Sequence, residues 1–189
     1  MILFLTGLAL FFGLHLYSSF RSREPGKDRR KQMGEARFMA LYSVAALAGF
    51  ILIILGYGAM RPGTILYSPP AWGASVNMLL MIAAFIMLTA SQIPAGHIKK
   101  KLKHPMLLSI KIWALGHLLS NGELNSVLLF GAFLAYAIIS RVKAKRRGDM
   151  GAARALPNPK WDIIAVIAGL GLYAAFAMGL HGALIGVDI

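Results

Sequence analysis

Six apolar runs divide this chain, at about residues 2–20, 38–60, 73–94, 106–119, 124–140 and 161–185, and no acidic residue falls in the middle of any of them. A helix that crosses the hydrocarbon core of a bilayer needs roughly 20 mostly apolar residues, and a backbone in lipid must satisfy its own hydrogen bonds. The pattern therefore predicts an all-α, polytopic membrane bundle of about six transmembrane helices, forming one domain over residues 1–189. Hydrophobic residues make up 58% of the chain, against about 45–50% in soluble domains, so the excess must face something other than water. The first run has no basic residue before it and no small-residue cleavage pattern after it, which predicts a retained first span and not a cleaved signal peptide.

Where the charges lie decides how the formal net charge of +13 is read. The Lys and Arg residues gather in the connectors: Arg21, Arg23, Lys27, Arg29, Arg30 and Lys31; then Lys99, Lys100, Lys101 and Lys103; then Lys143, Lys145, Arg146, Arg147 and Arg154. With six spans these three connectors fall on one face of the membrane, and the positive-inside rule makes that face cytoplasmic. The expected location is the inner (cytoplasmic) membrane, with membrane lipid as the main partner and both termini on the outer, periplasmic side. Nucleic acid is not an expected partner, since no recognition motif or aromatic-interleaved basic face accompanies the charge.

With no cysteine in the chain, thiolate chemistry is excluded. Ionisable groups inside spans are costly and so mark candidate sites; here they are histidines. His15 lies in the first run, His117 in the fourth and His181 in the last, while His104 precedes Pro105 at the start of the fourth. Two neutral imidazoles on separate helices meet the needs of a low-spin haem b. The plainer alternative has each histidine bonding a carbonyl or hydroxyl of a neighbouring helix. Trp113 shares a helix face with His117 and offers a flat apolar surface to a haem or an isoprenoid, or simply packs. Lys111 either snorkels to the headgroups or pairs with a haem propionate. Arg37, two residues after Glu35, either reaches an acidic group at the interface or anchors the second span. Gly7, Gly13, Gly49, Gly169 and Gly171 are expected to let helices approach closely. Ser120-Asn121-Gly122-Glu123 is expected to join the fourth and fifth spans, with Gly122 as a C-terminal cap and Asn121 as an N-terminal one.

The runs His104-Pro105-Met106-Leu107, Lys111-Ile112-Trp113-Ala114-Leu115-Gly116-His117-Leu118-Leu119, Asn121-Gly122 and Leu128-Leu129-Phe130-Gly131 resemble the core of the NnrU family of bacterial membrane proteins. The likeness extends to Gly13-Leu14-His15-Leu16, Pro69-Pro70-Ala71-Trp72-Gly73 and Leu180-His181-Gly182. The family's name associates it with expression of nitrite and nitric oxide reductases. Its plant and cyanobacterial relatives are 15-cis-zeta-carotene isomerases that carry haem b. The resemblance implies haem b as cofactor with His15 and His117 as axial ligands, and Trp113 and Arg37 as further cofactor-binding residues. By helix rise His15 lies roughly 8 Å from the inner end of its span and His117 roughly 18 Å from that of its own, so His104 and His181 stand as substitute ligands. The implied function is nitrogen-oxide respiration or a haem-dependent cis–trans isomerisation of a lipid-soluble isoprenoid or carotenoid. A non-catalytic factor for assembly or regulation of denitrification enzymes is the alternative. Ala114 stands where the isomerases have a cysteine, so a cysteine-for-histidine ligand exchange is not available to this chain.

Overall fold

A computed structural model describes residues 1–186, and the described part is helical almost throughout. The helices are α1 (Ile2–Phe20), α2 (Arg29–Gln32), α3 (Glu35–Ala59), α4 (Gly73–Gln92), α5 (His97–Leu102), α6 (Pro105–Ser120), α7 (Leu124–Arg146), α8 (Pro159–Ala175) and α9 (His181–Ile185). A 3-10 turn at Gly151–Arg154 precedes α8, and a π-helical turn at Phe176–Leu180 joins α8 to α9. Five stretches are long and apolar enough to cross a membrane: α1, α3, α4, α7 and the composite Pro159–Ile185. The sixth predicted span, α6, has 16 residues, which at 1.5 Å per residue is about 24 Å, short of the roughly 30 Å hydrocarbon core. The chain is thus a multi-pass membrane protein.

Two compact units divide the helices, the first from Met1 to Pro62 and the second from Gly63 onward. In the first, α1 and α3 pack as a hairpin along a seam of small residues. A methyl group on Gly56 would come within 2.5 Å of the Phe4 backbone, and one on Gly49 within 2.9 Å of Phe11 N. Gly7 presses equally closely on Ile53, so three glycines set how near these backbones run. Gly13, expected on this seam, is open, as is Gly171 in the second unit: a methyl added at either would find no atom within 4 Å. The basic connector is ordered by buried Asp28, which caps α2 through Arg30 N at 3.0 Å and pairs with Arg21.

In the second unit α4 packs against both α6 and α8, and α6 packs against α7. Gly169 of α8 lies against Ile86 of α4, in keeping with the close approach expected of it. At one end of this unit Asp162 caps α5, accepting from His97 N and Ile98 N at 2.8 Å each, while His97 Nδ1 sits 2.9 Å from the same carboxylate. Residues 141–146, connector by their charge, continue α7 as helix to Arg146. At the other end the segment after Gly63 lies along the α6–α7 turn, with Ile65 bridged to Glu123 and Leu124 N donating to Thr64 O at 2.8 Å. The caps there differ from those expected: Asn121 is the C-terminal cap of α6 in place of Gly122, and Glu123 the N-terminal cap of α7 in place of Asn121. Gly122 is required for a different reason, since a side chain on it would collide with the Tyr67 carbonyl.

Candidate functional site

His117 lies three residues before the end of α6, on the face that meets α7. Its Nδ1 is 2.9 Å from the Trp113 carbonyl. A carbonyl only accepts, so in the neutral ring Nδ1 carries the proton and Nε2 keeps the lone pair. The ring lies on Phe130 of α7, with centroids 4.4 Å apart and planes 25° from parallel. Trp113, one turn earlier, meets Phe130 and Phe133 edge-on at 4.9 and 5.1 Å and the His117 ring at 5.2 Å. The i, i+4 spacing visible in the sequence therefore places Trp113 in an aromatic wall that fixes the imidazole from two helices.

His181 joins this cluster from the far end of the α8–α9 stretch. Its ring is 6.5 Å from that of His117, with planes only 18° apart. The π-helical turn just before it contains Gly179 at φ 132°, a conformation that side-chain-bearing residues rarely adopt.

Behind His117 a polar group of side chains closes the end of α6. Asn121 Nδ2 donates to the His117 carbonyl at 3.0 Å, Asn77 Nδ2 of α4 donates to Ser120 Oγ at 2.9 Å, and the Tyr67 hydroxyl donates to the Leu118 and Asn121 carbonyls. Asn121 and Tyr67 thereby satisfy carbonyls that the last turn of a helix leaves without partners, while Asn77 ties the Ser120 hydroxyl to α4. Sequence reasoning from ionisable groups passes over Asn77 and Tyr67. A neutral asparagine inside an apolar run is the signal that points to Asn77, since its amide is also costly to leave unpaired in lipid.

His15, in the first unit, repeats the construction of His117. Its Nδ1 is 2.7 Å from the carbonyl of Phe11, four residues back, and its ring stacks on Phe11 at 4.1 Å and lies near Tyr42 at 5.5 Å. Both histidines thus meet a carbonyl of their own helix through Nδ1. Arg37 is exposed in the first turn of α3, and its neighbour Glu35 pairs with Arg30. His104 occupies the N-cap of α6, with Nε2 3.1 Å from the Asp149 carbonyl, so the structure ties it to the 147–158 loop.

Among the described residues no three His, Asp or Glu side chains gather as a bare metal ion would require. A haem asks less of the protein, because the porphyrin supplies four of the iron's ligands and only axial donors must come from the chain. A fixed Nε2 lone pair set among apolar rings meets that requirement.

Long apolar helices, basic connectors and histidines fixed within the helices define a polytopic helical membrane protein with candidate axial ligands. The family model described as NnrU protein matches residues 3–189. The chain belongs to the NnrU family. No curated protein and no solved structure matches it.

Proposed function

We propose that this NnrU protein is a haem b-binding protein of the inner membrane, serving nitrogen-oxide respiration or the cis–trans isomerisation of a lipid-soluble substrate such as zeta-carotene. The observation that carries the reading is His117, whose Nδ1 is committed to the Trp113 carbonyl at 2.9 Å while its ring is held on Phe130 at 4.4 Å. The hydrogen bond selects the tautomer a metal needs, and the aromatic wall fixes the ring's direction and excludes water. His117 would hold the iron, and His15, which the resemblance implies as a ligand, has the same Nδ1 arrangement within its own unit. When bound, the haem supplies a one-electron iron centre whose potential is set by its axial donors and the apolar surroundings. Trp113 and the phenylalanines of α7 offer the flat apolar surface that a porphyrin or an isoprenoid chain packs against.

The test is the optical and electron paramagnetic resonance spectrum of the full-length protein purified from cells supplied with haem precursors. Haem b in near-stoichiometric, low-spin form is expected, and His117→Ala should lose haem or turn it high-spin while His97→Ala leaves it unchanged. Protein that contains no haem under these conditions would refute the reading and return the assembly-factor alternative.

A further inference from the structure

Two cations of the second unit meet beside the α6–α7 seam without a counter-ion. On α7, Phe130, Ala137 and Ala144 recur every seven residues and are all buried, so they line the face that packs on α6. Arg141 stands four residues after Ala137 and three before Ala144, a spacing that puts it at the edge of that face. On α6, Lys111 stands three residues before the fully buried Ala114 and four before the exposed Leu115. It therefore sits on the border between the packed side of α6 and the side left to lipid.

The register of the hairpin brings the two side chains to a common level. His117 meets Phe130 and Trp113 meets Phe133, which sets Lys111 near the level of Ala135 and Tyr136. Arg141 lies roughly 8 Å nearer the basic end, and an extended lysine side chain covers most of that distance. The Lys111 ammonium accordingly feels the charge of the Arg141 guanidinium. Among the described residues neither cation forms an ion pair. The described acids of this unit are engaged elsewhere: Asp149 accepts from Gly151 N, Asp162 accepts from His97 N and Ile98 N, and Glu123 lies at the opposite end of the hairpin.

Like charges held together in a half-buried position repel more strongly than in water, and an anion between them reverses the sign of that energy. One turn further from the basic end, Leu115 of α6 and Ile138 of α7 are exposed apolar side chains. Cations above and an apolar surface below match the two ends of a phospholipid. We propose that Lys111 and Arg141 form a binding site for the phosphate of an anionic phospholipid, whose acyl chain lies along Leu115 and Ile138. Arg141 offers a planar fork for two phosphate oxygens and Lys111 a point charge. A zwitterionic headgroup fits less well, because its own cation would meet Lys145, one turn beyond Arg141 and exposed. This site does not depend on the haem reading.

The test is native mass spectrometry of the full-length protein, delipidated in one detergent and titrated with phosphatidylglycerol, phosphatidylethanolamine or inorganic phosphate. Phosphatidylglycerol should bind in preference to phosphatidylethanolamine, and inorganic phosphate should not displace it. Lys111→Met and Arg141→Gln should each weaken its binding by about tenfold, as loss of a charged hydrogen-bond donor does. Lys111→Arg should keep most of the affinity, and Lys145→Gln, which removes a neighbouring charge outside the site, should leave it unchanged. Wild-type affinity in Lys111→Met and Arg141→Gln, or equal weakening by Lys145→Gln, overturns the proposal. Equal binding of the two phospholipids by the wild-type protein overturns it as well, whether or not every variant folds. Displacement of phosphatidylglycerol by inorganic phosphate would give the cations to free phosphate and overturn the lipid site.

Discussion

Phe130 is the residue on which the arrangement around His117 depends most directly, because it meets both the imidazole and Trp113 and is itself buried. Removing a buried phenylalanine ring typically costs about 3–5 kcal/mol through lost contacts and the cavity left behind. Phe130→Ala should therefore lower the melting temperature of the purified protein in detergent, whereas Phe130→Leu should lower it less. A second residue-scale expectation concerns the connector between α1 and α3. The Arg21 guanidinium bonded to Asp28 holds that carboxyl below the usual carboxylate range. A depressed folded value means that the stabilisation is fully present above the ordinary aspartate value near 4 and fades as the pH falls through the lower, folded one. Hydrogen exchange of residues 21–34 should be flat from neutral pH down to about 4, after correction for intrinsic rates, and lose protection below it; Asp28→Asn should lack protection throughout. At this scale the sequence displays His15, His117 and Trp113, since an ionisable or aromatic group in an apolar run is visible without coordinates. It does not display the tie from Tyr67 to the Leu118 and Asn121 carbonyls, because those partners are some fifty positions away and nothing local encodes the pairing.

Helix packing separates glycines that look alike in sequence. At Gly56 a methyl would enter the backbone of Phe4, so Gly56→Leu should destabilise the α1–α3 hairpin by at least the 1–3 kcal/mol typical of overpacking. At Gly13 nothing lies within 4 Å, and Gly13→Ala should leave thermal unfolding unchanged or raise it by up to about 1 kcal/mol through helix propensity. Thermal unfolding of the two variants in one detergent checks both. Equal destabilisation would mean that the seam is not where close approach places it. The spans themselves are legible to within a few residues, because a length of apolar chain is a local property. The extension of α7 to Arg146 is hidden from a hydropathy reading for a physical reason: Lys, Arg and Ala are good helix formers, so a helix need not stop where the lipid does. The kink before His181 is not legible, because Phe176-Ala177-Met178-Gly179-Leu180 continues the apolar pattern and Gly179 alone, one glycine among many, does not announce its positive φ.

For the molecule as a whole, the number of crossings turns on α6, which among the described residues is an apolar helix too short to stand with the five candidate spans. If it crosses, the basic segments on either side of the α6–α7 pair share a face; if it does not, residues 99–103 and 143–147 lie on opposite faces. Within the second unit these segments are joined: Ala152 N donates to the Lys103 carbonyl at 2.9 Å, and His104 Nε2 is 3.1 Å from the Asp149 carbonyl. The pairing of Trp113 with Phe133 and of His117 with Phe130 runs antiparallel, as in a hairpin whose two outer ends lie together. At the hairpin's closed end Leu66 N donates to the Gly122 carbonyl at 2.8 Å, joining the other two connectors of the unit. The connectors thus sort by charge, basic ones at one end and nearly uncharged ones at the other, as an alternating path requires. Capping by Asn121 and Tyr67 would leave no bare carbonyls at that end of α6 if its 16 residues crossed with the end inside the bilayer boundary. Reporter fusions at Gly26 and Gly148 should therefore be active only as cytoplasmic reporters, and a fusion at Asn121 only as a periplasmic one. A fusion after Ile189, which lies outside the described residues, should also report the periplasm. A cytoplasmic signal at Asn121 together with a periplasmic one at Gly148 would show that α6 fails to cross, and would break the rule that the basic connectors share a face.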